Sequence, residues 1–194
     1  MKYLLILISA LSMISLNTYS KTANISGNAS HDYSAFLNHL YNNKPSGDEL
    51  FFLIKDLDNN GIPELIISKN GTSITIYTLN SKIIEAGKHN FETGTARLFY
   101  SDNPSYPGIF FYFAGGGMNH HGYISIRNNK LIYEELWNED YSGISKELKI
   151  SRKRIEELSS DRSLINESRK VYKESNDLPF KKLQPGNFHL SLEI

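Results

Sequence analysis

The sequence predicts an α+β fold, in which a mostly antiparallel, meandering sheet is flanked by an N-terminal helix and one or two C-terminal helices. Apolar residues follow helical spacing near both ends of the chain, and short runs rich in Ile, Phe, Tyr and Thr fill the middle. Turn-forming residues separate several of these runs. With 194 residues, the chain is long enough to form one domain with its own core.

The first element expected in the chain is a helix. Residues 21–30 are small and polar, so we expect a flexible leader there and a single domain over residues 31–194. Between His31 and Asn42 the apolar residues recur at the i, i+3 and i+4 positions that line one helix face, and Pro45 follows.

Eight strands are expected after this helix, and two helical stretches follow them. Asn70-Gly71, Asn80-Ser81 and Asn128-Asn129 tolerate the positive φ of tight turns, so they favour hairpins between consecutive strands. The alternation of residue types over 73–79 predicts a sheet with one covered and one solvent-exposed face. The expected strands are 49–55, 64–69, 72–79, 82–86, 96–100, 108–114, 122–127 and 130–136, and the expected helices are 151–160 and 163–175.

The first 20 residues have the three parts of a secretory signal peptide. Lys2 precedes an apolar run from Tyr3 to Leu16, which is followed by small residues at Thr18 and Ser20. The apolar run has about fourteen residues, whereas a membrane-spanning helix needs about twenty. We therefore expect cleavage after Ser20, a secreted or periplasmic protein, and no stable membrane anchor. The chain contains no cysteine, so it has neither disulfides nor a lipoprotein attachment site.

The segment from Asp56 to Glu64 has the pattern of a calcium loop. Oxygen-bearing side chains occur at every second residue, and Gly61 permits a sharp turn with positive φ. A polar turn without an ion is the alternative, but several converging carboxylates repel one another unless a cation neutralises them. The candidate ligands are Asp56, Asp58 and Asn60 through their side chains, Ile62 through its backbone carbonyl, and Glu64 directly or through water.

This string, D-x-D-x-N-G-x-x-E followed by Leu65-Ile66-Ile67, resembles the calcium loop of FG-GAP repeats. It is also similar to single EF-hand-like loops found in many secreted bacterial proteins. It departs from the EF-hand because the twelfth loop position is Ile67 and because the flanking segments are expected to be strands. The resemblance implies a calcium loop between two strands. It does not imply a propeller, because the chain carries a single copy.

A glycine-rich stretch from Ala114 to Gly122 is a second candidate site. We expect a plain flexible connection here, and we keep a ligand loop as the alternative because long glycine-rich connections often carry function. The adjacent histidines His120 and His121 would point to opposite sides of an extended chain, which argues against a shared metal ion. The candidate ligand-loop residues are Gly115, Gly116, Gly117, Asn119 and His120.

The charge balance and the motifs of the sequence reduce the number of function classes to consider. The 21 basic and 21 acidic residues balance, which removes the general electrostatic attraction on which nucleic-acid binding relies. The chain has no G-x-S-x-G or H-E-x-x-H motif. The sequence leaves enzymatic activity uncertain but favours a non-enzymatic binding domain. Its partner would be a protein or a cell-envelope component, as for an inhibitor, an immunity protein or an adhesive module.

The alternative function is a small cell-wall hydrolase whose catalytic residues follow no recognised motif. The two functions predict different surfaces. A hydrolase should have a concave pocket with titratable groups near Gly115–Gly117, whereas a binding domain should present a flat or apolar exposed patch.

Overall fold

The computed structural model describes the backbone of residues 22–91, 96–141 and 154–185, and the side chains of these ranges from Asp32 onward. The predicted signal peptide, residues 1–20, lies outside the described residues. These ranges contain two helices and ten strands: α1 (Thr22–Asn43), β1 (Leu50–Lys55), β2 (Glu64–Lys69), β3 (Ser73–Asn80), β4 (Lys82–Asn90), β5 (Arg97–Phe99), β6 (Ile109–Gly115), β7 (Met118–Arg127), β8 (Lys130–Asp140), β9 (Arg154–Glu157), α2 (Arg162–Glu174) and β10 (Lys181–Lys182).

The strands form two antiparallel sheets, which confirms the α+β class. The first sheet has the order β10-β1-β2-β3-β4, and the second has the order β5-β6-β7-β8-β9. The sheets pack face to face, because Ile66 and Ile76 of the first share a buried cluster with Ile109, Phe111 and Ile124 of the second. This shared core buries apolar area from both sheets.

A helix covers the outer face of each sheet. Tyr33 and Leu37 of α1 pack against Leu65 and Ile67 of β2. On the other side, α2 packs through Leu164, Ile165 and Val171 against the second sheet. The molecule is therefore layered as helix, sheet, sheet, helix.

The prediction that one face of residues 73–79 is exposed to solvent is wrong. The inward residues Ile74 and Ile76 are fully buried, as expected for the covered face. On the opposite face, however, Tyr77 and Leu79 pack into the cluster that α1 forms with the sheet. The alternation in this strand therefore separates a fully buried face from a half-buried one, because a helix covers the second.

The turn predictions are confirmed by the backbone. Asn128 and Asn129 have φ values of 53° and 58°, and the flanking residues Arg127 and Lys130 pair directly. Positive φ also occurs at Asn70, Gly71 and Ser81 in the other two turns. These residue types adopt the left-handed region at low cost, so they fix the strand register locally.

Several helix and strand limits differ from the prediction. The first helix begins at Thr22 rather than His31, so residues 22–30, expected as a leader, are helical. The expected helix over 151–160 is wrong within its described part, because Arg154–Glu157 forms β9 and pairs with the end of β8. The apolar residues there, Ile155 and Leu158, are exposed and so give no buried helical face. The expected helix over 163–175 is confirmed as α2.

The segment after α2 joins the two sheets. The N–H of Leu178 donates to the carbonyl oxygen of Leu98 in β5, at 2.9 Å. A few residues later, β10 pairs with Phe51 and Phe52 of β1. We call residues 176–183 the connecting strap, because they pair with an edge of each sheet. Within the described ranges, neither helix has the length and apolar character needed to cross a membrane.

Candidate metal centre

The candidate calcium loop connects β1 to β2 and is anchored to three parts of the fold. Leu57 is fully buried in the core between the sheets. The side-chain amide of Asn59 donates to the carbonyl oxygen of Pro104 in the second sheet's β5–β6 connection, at 2.6 Å. The hydroxyl of Tyr33 in α1 donates to the carbonyl oxygen of Pro63, at 2.9 Å. The loop therefore lies where the first helix and both sheets meet.

Asp56 organises the backbone of the loop. One of its carboxylate oxygens accepts a hydrogen bond from the N–H of Gly61, at 2.8 Å, and the other accepts from the N–H of Asn60, at 3.2 Å. Asn59 and Gly61 have φ values of 57° and 82°, which bend the chain tightly around this carboxylate. A glycine and an asparagine are the residues that adopt such angles most readily.

Glu64 places a carboxylate in the protein interior. Its side chain is fully buried and accepts hydrogen bonds from the N–H of Leu57, at 2.8 Å, and from the hydroxyl of Thr78, at 3.2 Å. Burial raises its pKa to about 7, and the nearby charges of Asp58 and Asp56 act in the same direction. The hydrogen bond from Leu57 opposes this rise but does not cancel it.

The three acids converge on one point. An oxygen of each of Asp56, Asp58 and Glu64 lies within 4.8 Å of the other two. Oxygens that bind one Ca²⁺ at its usual distance are at most about 5 Å apart, so this separation fits a single ion. The pKa of Asp58 is raised, first by burial and then by the charge of Asp56. A cation at this point would relieve the repulsion.

The structure brings together three of the five predicted ligands. Asn60 is in the same loop, but its amide NH₂ donates to Asp58 and its carbonyl oxygen accepts from the N–H of Ile62, at 2.6 Å. Its side chain is therefore engaged by the loop itself. Ile62 is half-buried beside these residues. Sequence spacing thus located the acidic group, whereas the orientation of Asn60 depends on hydrogen bonds that the pattern does not specify.

The glycine-rich stretch, expected as a flexible connection with a ligand loop as the alternative, is a tight hairpin. β6 continues through Gly115 and β7 begins at Met118, so only Gly116 and Gly117 form the turn, with φ values of 59° and 82°. The remaining predicted residues lie in β7. Asn119 donates to the Glu139 carboxylate, at 3.0 Å.

His120 and His121 lie on opposite faces of β7, as expected for adjacent residues of a strand. The ring of His120 stacks on Phe113, a member of the core between the sheets, with 4.6 Å between ring centroids. The ring of His121 stacks on Trp137 on the side of α2, with 3.6 Å between centroids. The expectation that they do not share a metal ion agrees with this geometry.

Sequence reasoning did not find a cavity of about 670 Å³, which opens beside the connecting strap. Its walls come from β1, β2, β5 and the strap. These segments are far apart in the sequence, and none of them carries a binding motif. No local signal marks the cavity, because its lining residues come together only in the folded chain.

Among the described residues, Asp56, Asp58 and Glu64 are the one group of three acidic or histidine side chains that could hold a metal ion. Comparisons with models of protein families, with curated proteins and with solved structures find no match to this chain.

Proposed function

We propose that this chain is an exported, non-enzymatic binding domain whose Asp56–Glu64 loop holds one structural Ca²⁺. The observation that carries the proposal is the buried carboxylate of Glu64, which faces Asp56 and Asp58. The hydrogen-bond donors to Glu64 are the neutral groups of Leu57 and Thr78. A buried ionised carboxylate is costly without a compensating positive charge, and a bound cation would supply it.

The donor set favours calcium over other ions. All the candidate donors are oxygens, which suit hard cations such as Ca²⁺ and Mg²⁺ rather than zinc or copper. Asn60 and Gly61 are exposed, so water can complete the coordination from the solvent side. Calcium accepts six to eight ligands in flexible geometry, whereas magnesium requires a compact octahedron. Because Glu64 is the only carboxylate in the second half of the loop, we expect a dissociation constant of about 10⁻⁴ to 10⁻³ M, as in extracellular modules.

The position of the loop supports a structural role for the ion. Its flanks are tied to α1 through Tyr33 and to the second sheet through Asn59. An ion bound at the acidic group would therefore stabilise the junction of three layers. Binding to the folded state alone raises the free energy of unfolding by mass action.

A binding role remains our proposal for the function of the whole domain, with a protein or a cell-envelope component as the partner. The hydrolase alternative expects a pocket with titratable groups near Gly115–Gly117. Gly115 ends β6, Gly116 and Gly117 form the hairpin turn, and the cavity beside the connecting strap has none of them in its walls. This cavity is therefore not the pocket that the hydrolase alternative expects.

Calcium titration of the chelator-treated protein tests the metal site. We expect isothermal titration calorimetry to show one ion per chain and weaker binding of magnesium. Glu64→Gln preserves the size of the side chain but removes its charge, so it should abolish most of the binding. Glu85→Gln, at an exposed position of β4, is the matched control and should bind calcium as the wild type does. Undetectable binding in the wild type, or equal binding by Glu64→Gln, would contradict the proposal.

A separate assay tests the absence of enzymatic activity. Purified cell walls are incubated with the calcium-loaded protein, and soluble fragments are measured. We expect no release above that of a heat-denatured sample. Release that depends on the folded protein would favour the hydrolase alternative.

A further inference from the structure

The cavity beside the connecting strap has the size of a small-molecule site. It measures about 670 Å³, within the range of ligand pockets in proteins. The strap already pairs with Leu98 of β5, an edge strand of the second sheet, and through β10 with Phe51 of β1. An extended peptide therefore cannot pair with β5 or β1 at this place, because the backbone groups there already have partners.

The walls of the cavity combine two aromatic rings with neutral polar groups. Phe51 and Phe180 contribute the rings. Ser68 is only 6% exposed and lines the cavity, yet its hydroxyl makes no hydrogen bond with any residue that the structure describes. Asn70, also a lining residue, accepts a hydrogen bond from the N–H of Glu49 through its carbonyl oxygen, at 2.8 Å, so this bond does not use its NH₂ group.

Each charged side chain in the cavity wall is paired with an opposite charge of the protein. The guanidinium of Arg97 donates two hydrogen bonds to the carboxylate of Asp177, at 2.7 and 3.2 Å. Glu49, the other described charged residue in the wall, forms an ion pair with Lys182. An ionic ligand would therefore meet no unpaired opposite charge. It would also have to compete with a bidentate ion pair.

We infer that this cavity binds a neutral saccharide unit. A sugar ring presents C–H groups that pack on aromatic rings and hydroxyl groups that can bond to Ser68 and Asn70. A purely apolar ligand would bury these polar groups without partners, which is unfavourable. The inference rests on the proposed binding role and names its ligand class. It does not depend on the metal, since none of Asp56, Asp58 and Glu64 lines the cavity.

NMR titration of the ¹⁵N-labelled protein tests this inference. The probes are two neutral saccharides, triacetylchitotriose and maltotriose, with glucose 6-phosphate as a charged sugar and trialanine as a peptide. We expect at least one neutral saccharide to shift the amide signals of Ser68, Asn70 and Leu98 in a saturable manner. The charged sugar and the peptide should produce smaller shifts at the same concentrations.

Substitutions distinguish a loss of contacts in the cavity from a general effect on the fold. Ser68→Ala should weaken saccharide binding about five- to tenfold, because it removes one neutral hydrogen bond. Phe180→Leu should weaken binding about tenfold through loss of ring contact. Ser73→Ala is the matched control, since Ser73 is also 6% exposed but lies outside the cavity. The Ser73→Ala variant should bind the saccharide with the affinity of the wild type.

Three results would overturn the inference. They are the absence of saturable shifts at the cavity with either neutral saccharide, tighter binding of glucose 6-phosphate or trialanine, and equal weakening by Ser68→Ala and Ser73→Ala. The titration is run with calcium and with chelator. Loss of saccharide binding with an intact calcium response rejects the cavity alone, whereas saccharide binding without any calcium response rejects the metal site alone.

Discussion

The carboxylate of Glu64 accepts a hydrogen bond from the backbone N–H of Leu57, with 2.8 Å between the oxygen and the nitrogen. Both residues are fully buried. This bond joins the two ends of the acidic loop and holds the charge of Glu64 beside Asp56 and Asp58. The protein thus maintains an unfavourable cluster of acids at the junction of its layers.

The calcium-free protein should lose stability as the pH rises towards neutrality. The folded-state pKa of Glu64 is about 7, compared with an ordinary value of 4.5. Below the ordinary value the side chain is protonated in both states, but as the pH rises the unfolded chain releases the proton first. The free energy of unfolding should therefore fall by about 3 kcal/mol between these two pH values. Urea unfolding in chelator, below and above this interval, measures the change.

Glu64→Gln is the corresponding test variant. Its amide can still accept from Leu57 and contact Thr78, but it does not titrate, so the loss of stability with pH should largely disappear. Glu85→Gln, on the exposed side of β4, should retain the wild-type dependence. If Glu64→Gln and the wild type lose the same free energy over this interval, another group is responsible.

Asp58→Asn should remove most of the response to calcium. The substitution keeps the shape of the side chain but removes one of the three charges at the site. It should also slightly stabilise the calcium-free protein, because it relieves the repulsion between Asp58 and Asp56. Differential scanning calorimetry with and without calcium measures both effects. Asp102→Asn, at an exposed position, is the control and should respond to calcium as the wild type does.

Gly122→Ala should destabilise the second sheet strongly. A Cβ atom at Gly122 would lie 2.1 Å from the ring of Phe111, its cross-strand partner, and 2.7 Å from the carbonyl oxygen of Glu134. We expect a loss of about 3 kcal/mol, because neither the core ring nor the backbone can move freely.

Gly116→Ala is the comparison for this effect. No atom lies within 4 Å of the Cβ position at Gly116, but the φ of 59° is left-handed. The expected loss is about 1 kcal/mol, from backbone strain alone. Urea unfolding of both variants checks the difference, and equal losses would show that the close packing of Phe111 on Gly122 contributes nothing.

If the protein is exported, its signal peptide should be removed. Mass spectrometry of the protein from its native host should identify Lys21 or a neighbouring residue as the first residue, because the signal peptide is expected to end at Ser20. An intact Met1 in a membrane fraction would contradict this prediction.

The sequence predicted the features that are encoded locally. The hairpin turn at Asn128-Asn129 requires positive φ, and the residues from Asp56 to Glu64 are close enough in sequence to form a single loop. The periodicity of α2 is equally local, since its buried residues recur along one face. Such patterns are independent of the rest of the fold.

The features that sequence reasoning missed depend on distant partners. The two residues of β10, Lys181 and Lys182, carry no strand pattern and form a strand because β1 offers an edge. Ile155 and Leu158 indicated a helix, but their segment pairs with β8 instead. The division into two sheets was also not predictable, because it depends on which strands pair rather than on what each strand contains.

The melting temperature of the wild-type protein, with and without calcium, tests the central claim most directly. After treatment with a chelator and its removal, the protein should melt at a higher temperature in about 10 mM calcium than in buffer alone, by linkage of binding to folding. At a calcium concentration one hundred times the dissociation constant, the gain is about 2.7 kcal/mol. Magnesium should give a smaller increase, and added chelator should reverse the calcium effect. An identical melting temperature with and without calcium would contradict the account, and the loop would then be a polar turn held by its hydrogen bonds without an ion.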